Sequence, residues 1–570
     1  ASVTPVGGNI VTNYVNGVNT GLRFNVTLPS TDETIEGGKL LIEGNYNSQG
    51  WGALHSATGW TITSSERAAG AKTDADVTVT GGSNDLDDLT SWTTGNTVQF
   101  RVTVTDKNDN AGTAATYGTA STVDLFKPKV KSVTGAAANT TARTLKAGDS
   151  EVIEVNIVDS STGSAESVTY VDGGDEPTLK LETGPTTDAA PEMTNPANNG
   201  SANQLKFTYT VSSGETSFEN ADDELITHAT SPLSVGGGTI RDAAGNDLDV
   251  DISLLSTANS LKNANITVDG ITPAKIVLDS IIVAGTGAGD TTVQGYWNQY
   301  SDKFTFYMSI PATGTDPTLT GGNIQLQVDF DGAYTNLGSA TAIGSGDQGN
   351  TKFSIEVNAA TFEGTTGWTN GDEAKFKAII TDDAGNSTTG DQAATKINID
   401  ETSPSDPTIA DTTTVGAPVV DGYWNASNTN IQVSVNVPNE ADLVGGKFQI
   451  QAKISDSGAS NWADIGAPKT ALTTYNDIQT ITVAKASLAG HAGYADAATI
   501  TYRAVMWDKA GNQKLGSAYA GTQLIDITVP TVSKAFANTP ASILKAGDSH
   551  NITVRLTENP TVSGTPKLAL

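Results

Sequence analysis

The sequence predicts an all-β protein made of several β-sandwich domains in tandem. Segments such as Leu22–Leu28 and Thr97–Thr105 alternate apolar with polar residues and are rich in β-branched side chains. Gly, Asn, Asp and Ser interrupt such segments about every ten residues, which is the pattern of short antiparallel strands joined by turns. No stretch has a convincing helical period, and we expect residues 1 to about 125 to form strands from end to end.

A short acidic junction divides the chain into units. The successive junction aspartates lie 145, 131 and 126 residues apart, and each interval is about the length of an ordinary domain. Proline suits such a junction because it fixes its own backbone and makes the preceding residue extended. The junction is an Asp, three residues and a Pro, and it occurs as Asp124-Leu-Phe-Lys-Pro128, Asp269-Gly-Ile-Thr-Pro273, Asp400-Glu-Thr-Ser-Pro404 and Asp526-Ile-Thr-Val-Pro530.

These junctions predict the domain bounds. We expect sandwiches at residues 1–125, 126–270, 271–401 and 402–527, followed at 528–570 by the first strands of a further, incomplete sandwich. A sandwich cannot stop in mid-strand without leaving open edges. We therefore expect the natural chain to continue beyond residue 570.

Three of the predicted domains repeat one another. Gly295-Tyr-Trp-Asn298 corresponds to Gly422-Tyr-Trp-Asn425, and the first domain carries a weaker form in Asn13-Tyr-Val-Asn16. We expect Trp297 and Trp424 to fill the sandwich cores and not to form a sugar-binding platform, because repetition at one position is typical of packing.

Composition excludes several classes of function. The chain has 32 basic and 63 acidic residues and a net charge of −31, which repels nucleic acid and anionic lipid surfaces. It has no cysteine, so it forms no disulfide or thiolate site. No apolar run approaches the roughly 20 residues that span a bilayer, and no nucleophile-elbow or zinc-protease motif occurs. We predict that the chain is not an enzyme.

The second predicted domain differs from the other three and carries a family resemblance. Its segments Leu145-Lys-Ala-Gly-Asp-Ser150, Pro177-Thr-Leu-Lys-Leu181 and Gly237-Gly-Thr-Ile-Arg-Asp-Ala-Ala-Gly-Asn246 resemble the immunoglobulin-like repeats of giant bacterial and archaeal surface proteins. Leu544-Lys-Ala-Gly-Asp-Ser549 begins the same type of unit again.

The resemblance implies tandem immunoglobulin-like sandwiches in an elongated array, secreted to the cell surface. It also implies a role in spacing, stiffening or lattice contact. The implied partners are further copies of the chain and cell-envelope glycans.

The loop Asp-x-Ala-Gly-Asn is the motif that could carry chemistry. It occurs at Asp242–Asn246, Asp382–Asn386 and Asp508–Asn512, and the first domain departs from it with Asp106-Lys-Asn-Asp-Asn110. In three domains the loop aspartate lies 18 residues before the junction aspartate, about one turn and one returning strand. The loop and its own junction should therefore lie at opposite poles, and the loop should meet the junction that precedes its domain.

This arrangement predicts calcium sites between neighbouring domains, because Ca²⁺ takes six to eight oxygen ligands at flexible geometry. The pairs to test are Asp124 with Asp242 or Asp247, Asp269 with Asp382 or Asp383, and Asp400 with Asp508. An alternative stays open, since Asp, Asn and Gly also occur in turns to bond their own backbone. The candidate ligands are Asp106, Asp124, Asp242, Asp247, Asp269, Asp382, Asp383, Asp400, Asp508 and Asp526.

Three functions compete at this point. The first is a structural protein that self-assembles into a surface-layer coat with calcium-stiffened seams. The second is the stalk of a large adhesin or extracellular fibre. The third, from another class, is the non-catalytic front part of a secreted enzyme.

Overall fold

The computed structural model describes residues 1–89, 92–136, 142–184, 188–194, 203–220, 223–285, 292–312, 314–454, 462–538 and 543–569. It confirms the predicted fold class, because nearly every regular element is a β-strand of an immunoglobulin-like sandwich. Buried apolar side chains form four separate clusters, which run from Val3 to Val123, from Val130 to Val268, from Ile276 to Ile399 and from Ile409 to Ile525. The domain bounds predicted from the junctions stay a prediction. Each apolar cluster lies within one of the predicted domains.

The first sandwich faces a three-stranded sheet with a larger one. Its elements are β1 (Ser2–Val6), β2 (Tyr14–Asn16), β3 (Gly21–Thr27), β4 (Lys39–Tyr46), β5 (Trp51–Leu54), β6 (Trp60–Thr61), α1 (Ser64–Ala69), β7 (Ala71–Thr78), β8 (Thr97–Thr105), β9 (Ala115–Thr116) and β10 (Ser121–Asp124), with 3₁₀ turns at Glu33–Ile35 and Leu86–Asp88. The sheets have the orders β1-β3-β7 and β2-β10-β8-β4-β5, and β6 and β9 add to the larger one.

The second sandwich is built from smaller sheets. Its elements are β11 (Pro128–Gly135), β12 (Arg143–Lys146), β13 (Ser150–Asp159), β14 (Val168–Val171), β15 (Thr178–Leu179), β16 (Leu181–Glu182), β17 (Gln204–Thr210), β18 (Ile226–Thr227), β19 (Leu233–Ser234), β20 (Thr239–Asp242) and β21 (Ile266–Asp269), with 3₁₀ turns at Thr257–Asn259 and Leu261–Ala264. One sheet has the order β11-β13-β17, and the pairs β12-β21, β14-β20, β15-β19 and β16-β18 complete the sandwich.

The third and fourth sandwiches repeat the topology of the first. The third contains β22 (Leu278–Gly285), β23 (Tyr296–Trp297), β24 (Ser301–Met308), β25 (Asn323–Asp329), β26 (Tyr334–Asn336), β27 (Thr341–Ala342), β28 (Phe353–Asn358), α2 (Ala359–Glu363), β29 (Glu373–Thr381), β30 (Ser387–Thr389) and β31 (Ile397–Ile399). The fourth contains β32 (Thr408–Val415), β33 (Tyr423–Asn425), β34 (Asn430–Asn436), a 3₁₀ turn (Ala441–Leu443), β35 (Lys447–Ile454), β36 (Ala463–Lys469), β37 (Ile478–Ala484), α3 (Lys485–Ala489), β38 (Thr499–Trp507), β39 (Gln513–Leu515) and β40 (Gln523–Asp526).

After the fourth junction, β41 (Val532–Ala537) and β42 (Ile552–Leu556) form an antiparallel pair. Among the described residues of the whole chain, no helix is long and apolar enough to cross a membrane.

The expectation of strands from end to end in residues 1–125 was wrong at the short helix α1. In α1 the Thr63 side chain accepts from the Glu66 backbone while the Glu66 carboxylate accepts from Thr63, and Gly70 ends the helix in the left-handed conformation with φ +68°. A helix of six residues is too short to show a period in an apolar pattern. Its capping box, Thr-Ser-Ser-Glu, was the usable signal.

Each sandwich pairs its second strand with its last strand in parallel, β2 with β10, β12 with β21, β23 with β31 and β33 with β40. The register pairs Trp297 with Ile399 and Trp424 with Ile525, and both tryptophans are 0% exposed, as predicted. The same pairing sets Asn16 opposite Asp124 and Asn425 opposite Asp526. The junction aspartates therefore leave each sandwich at a pole that the core fixes in place.

Candidate metal centres at the seams

All four Asp-to-Asn loops fold into the same turn. The Asp Oδ1 accepts from the backbone N–H of the Asn four residues later, at 2.8 to 2.9 Å, and Oδ2 accepts from that Asn side chain at 2.9 to 3.0 Å. The residue before the Asn has positive φ, +94° at Gly385 and +94° at Gly511, which glycine adopts without a steric cost. In the first sandwich Asp109 takes this position with φ +64°, so the departing sequence Asp106–Asn110 keeps the turn.

The loop asparagines bind across the domain boundaries, which we call seams. The first seam joins Asp124 to the loop of the second sandwich, and there the Asn246 amide donates to the Asp124 main-chain oxygen at 3.1 Å. The Asn246 side-chain oxygen accepts from the Gly17 N–H at 2.8 Å. The junction thus meets the loop of the following sandwich, which is the arrangement that the spacing predicted.

The second seam, between Asp269 and the loop of the third sandwich, repeats these contacts. Asn386 donates to the Asp269 main-chain oxygen at 2.9 Å and accepts from the Ala147 N–H at 3.1 Å.

At the third seam, between Asp400 and the loop of the fourth sandwich, Asn512 donates to the Asp400 oxygen at 2.7 Å and accepts from the Gln299 N–H at 3.0 Å. Asn298 adds a bond to the Ala510 oxygen at 2.6 Å. One constellation therefore recurs at three seams.

Three carboxylates converge at the second seam. Oxygens of Asp269, Asp316 and Asp382 lie within 4.8 Å of one another, and the three residues are 0%, 2% and 2% exposed. Asp316 Oδ1 accepts from the Thr318 N–H at 3.0 Å, but its buried Oδ2 has no hydrogen-bond partner. The Thr318 hydroxyl donates to Asp269. Burial raises the pKa of Asp316 to about 6, and the charge of Asp382 adds to the shift.

The third seam gathers Asp400, Asp442 and Asp508 in the same way, with oxygens within 4.8 Å of one another. Asp442 Oδ1 is buried without a hydrogen-bond partner. Burial raises the pKa of Asp508 to about 6, and the charge of Asp400 adds to the shift. Lys509 is the positive group nearby, and its charge partly offsets the upward shift in the pKa of Asp400.

The first seam holds a wider acidic group. Burial and the charge of Asp242 raise the pKa of Asp124 to about 6. Burial, followed by the charges of Asp124, Asp242 and Asp159, raises the pKa of Glu166 to about 7. All three seams therefore concentrate negative charge in a partly dehydrated space, where a cation would offset the repulsion.

The other predicted ligands lie outside these groups. Asp247 is exposed and forms an ion pair with Arg241 at 2.6 Å, and Asp383 is an exposed loop residue whose N–H donates to the Thr318 oxygen. Asp106 accepts from its own loop and from Thr34, at the pole of the first sandwich that lies away from the first seam. Asp526 lines a cavity of about 560 Å³ together with Glu558 and Asn425.

The sequence reasoning missed the third carboxylate of each seam, namely Glu166, Asp316 and Asp442. Asp316 corresponds to Asp32 and Glu440 in the repeated sandwiches, whereas Asp442 corresponds to Thr34 and Thr318. This correspondence follows from the loop N–H groups of Lys107, Asp383 and Lys509, which donate to Thr34, Thr318 and Asp442. The carboxylate that joins the seam cluster is Asp316 in the third sandwich, but in the fourth it is Asp442, two positions later in the repeat. Comparison of the repeats therefore could not identify the third ligand.

Comparisons with known proteins found similar solved structures but no matching family. No protein-family model and no curated protein matches the sequence. Among solved structures, the chain is similar to a Ca²⁺-stabilised adhesin with which an Antarctic bacterium reaches out and binds ice, at 14% identity and a TM-score of 0.31, covering 92% of this chain and 98% of that one.

Two further similar structures are a 1.5-MDa bacterial ice-binding adhesin and titin domains A168–A170. The adhesin is 14% identical with a TM-score of 0.23 and covers 71% of this chain and 98% of that one. The titin domains are 9% identical with a TM-score of 0.26 and cover 70% of this chain and 100% of that one. All three TM-scores are below 0.5, and the tandem immunoglobulin-like sandwiches are established by the sheet topology of the chain itself.

Proposed function

We propose that the chain is a non-enzymatic spacer on the outside of a prokaryotic cell, and that calcium bound at its seams makes it stiff. The observation that carries this proposal is the second seam, where three buried carboxylates from two sandwiches converge and one buried oxygen of Asp316 has no partner. An isolated buried carboxylate is costly unless it is paired or bound to a metal.

The donor set favours calcium over other ions. The side chains that converge at the second and third seams are all carboxylates, without histidine, and hard cations prefer such oxygen ligands. Mg²⁺ requires a near-octahedral shell at about 2.0–2.1 Å, whereas Ca²⁺ accepts irregular shells of six to eight oxygens. Three carboxylates from two domains, completed by water, fit the larger ion.

Calcium at a seam would link the two domains directly. Asp269 belongs to the second sandwich, while Asp316 and Asp382 belong to the third. Removal of the ion leaves three like charges facing one another across the boundary, so the seam should open or bend. Bound calcium would thus make a flexible string of sandwiches into a stiff one.

The seams favour a stalk over a coat. The seam hydrogen bonds described above join sandwiches that are neighbours in the chain, which is what a stalk requires. A self-assembling coat requires lateral contacts between chains in addition. Electron microscopy of the calcium-loaded protein distinguishes the two, because isolated rods support the stalk and a two-dimensional lattice supports the coat.

Small-angle X-ray scattering with calorimetry tests the calcium proposal. Calcium should lengthen the particle relative to chelator-treated protein and raise its melting temperature by several degrees, since a ligand that binds only the folded state stabilises it. Identical scattering profiles and melting curves in calcium and in chelator would overturn the proposal.

A further inference from the structure

A second type of ionic cluster lies in the second sandwich, away from the seams. It comprises Glu182, Asp188 and His228, whose ligand atoms lie within 4.8 Å of one another. His228 is one of only four histidines in the chain. The seams contain carboxylates, whereas this cluster adds an imidazole nitrogen.

Backbone pairing fixes the three side chains on one surface. Strand β16 pairs with β18, and the His228 N–H continues the ladder by donating to the Lys180 oxygen at 3.0 Å. Lys180, Glu182 and His228 therefore project to the same face. Asp188 reaches this face because the chain returns alongside β16, where the Leu181 N–H donates to the Ala189 oxygen at 2.7 Å.

The distances suit a small divalent ion. His228 Nε2 lies 3.4 Å from Asp188 Oδ2 and 3.9 Å from Glu182 Oε2. Ligands at about 2.0–2.2 Å from a tetrahedral ion lie about 3.3–3.6 Å apart, so Asp188 already stands at this distance from His228 and Glu182 needs to move by only a few tenths of an ångström. The side chain of Asp188 is 14% exposed, and its buried Oδ1 has no hydrogen-bond partner.

The outer nitrogen of His228 is already held in position. Nδ1 accepts from the Thr230 N–H at 3.0 Å and lies 3.1 Å from the Thr230 main-chain oxygen. Zinc on Nε2 requires the Nδ1–H tautomer, so on binding the Nε2 proton is lost and Nδ1–H donates to that oxygen in place of the bond from the Thr230 N–H. A backbone carbonyl on the far nitrogen is the usual support of a metal-binding histidine.

We propose that Glu182, Asp188 and His228 form a Zn²⁺ site with an open position for water. One nitrogen and two carboxylates match the borderline character of zinc, whereas calcium prefers oxygen ligands alone. Lys180 at present supplies the positive charge, since its Nζ lies 3.0 Å from Asp188 Oδ2. Its side chain is 40% exposed, so it can turn into solvent when zinc enters.

Calorimetric titration of the untagged chain with Zn²⁺, in excess Ca²⁺ to saturate the seams, tests this site. We expect one zinc-binding event that is weakened at least about tenfold in His228→Ala, as for loss of a ligand or its support. His55→Ala is the matched control and should bind as the wild type does, because His55 stacks on Trp60 in the first sandwich. Lys180→Met should bind zinc more tightly than the wild type, because the competing ammonium is removed.

A second measurement needs no variant. Zinc should shift the imidazole ¹⁵N resonances of a single histidine in the NMR spectrum of the wild-type chain. The proposal is overturned if no histidine shifts, or if His228→Ala binds zinc as the wild type does. Because calcium occupies the seams throughout, either result leaves the calcium proposal to its own test.

Discussion

The side-chain amide of Asn386 donates to the main-chain oxygen of Asp269 across the second seam, over 2.9 Å. The same amide donates to Asp382 inside its own loop, and the side-chain oxygen accepts from the Ala147 N–H. One buried side chain thus holds the loop, the junction and the pole of the preceding sandwich together. This relationship makes the seam sensitive to single substitutions.

Asn386→Ala should open the second seam. The change removes the partner of the buried Asp269 oxygen, at a cost of about 1–3 kcal/mol for a buried group left unsatisfied. It also removes the partner of the half-buried Ala147 N–H, which adds a smaller loss. Calorimetry should show a melting transition at lower temperature. Asn110→Ala is the matched control, because Asn110 occupies the same turn on an exposed loop. Equal losses in the two variants would contradict the role of Asn386 across the seam.

Asp316→Asn should have opposite effects with and without calcium. In calcium it removes one ligand charge, so we expect a binding site weakened by about tenfold or more in a calorimetric titration. In chelator it removes a buried charge that faces Asp382, so the variant should melt above the wild type. Asp383→Asn, at the exposed residue next to Asp382, should change neither the calcium affinity nor the melting temperature by much. A variant that melts below the wild type in both conditions would contradict the prediction.

The calcium-free chain should become less stable as the pH rises from 5 to 8. Asp124, Asp316 and Asp508 have pKa values raised to about 6, and that of Glu166 is raised to about 7. In this window the folded chain therefore binds more protons than the unfolded chain, so its stability is lost as pH rises through the folded pKa values. Melting in chelator across this range checks the slope.

With calcium bound, the pH dependence of stability should weaken or reverse, because the ion takes the place of the protons on the seam carboxylates. The stabilisation by calcium, measured as the difference in melting temperature, should be larger at pH 8 than at pH 5. A calcium effect that is the same at both pH values would count against carboxylate ligands at the seams.

Trp297→Phe should destabilise the third sandwich more than Trp424→Phe destabilises the fourth. Trp297 Nε1 donates to Glu363 at 3.1 Å and to Glu401 at 3.2 Å, whereas Trp424 Nε1 donates to the neutral Tyr494 hydroxyl at 2.9 Å. Hydrogen bonds to charged groups contribute more, about 1.5–3 kcal/mol.

Both substitutions leave a cavity of similar size. The difference in stability loss between the two variants therefore reports the contribution of the Glu363 and Glu401 carboxylates. Burial and the charge of Glu363 raise the pKa of Glu401. The difference should therefore grow from pH 5 to pH 8, as the Glu401 carboxyl group ionises. Equal losses at pH 8 would contradict this account.

The sequence predicted the features that repeat at constant spacing. Strand alternation gave the sandwiches, and the 18-residue interval from Asp382 to Asp400 placed loop and junction at opposite poles. The same reasoning paired Asp269 with Asp382 and Asp400 with Asp508, residues that the structure brings together. Such patterns lie within short segments, so one amino-acid sequence is enough to detect them.

The rest depended on contacts between distant segments. Asp316 reaches the seam from the turn before β25, and Asp442 reaches it from a position two residues later in the repeat. The choice of Asp382 over Asp383 depends on which side chain of the loop turns inward, and neighbouring residues in sequence give no signal for that. The cluster at His228 joins two strands of two residues each, which are too short to be predicted from alternation.

The parallel pairing of β2 with β10, repeated by β23 with β31 and β33 with β40, determines how the chain responds to traction. When the two ends of such a sandwich are pulled apart, its second and last strands slide along each other, so their hydrogen bonds are loaded in shear together and do not open one after another. Resistance to tension is therefore set within each unit, where the tryptophan or its counterpart anchors the paired strands.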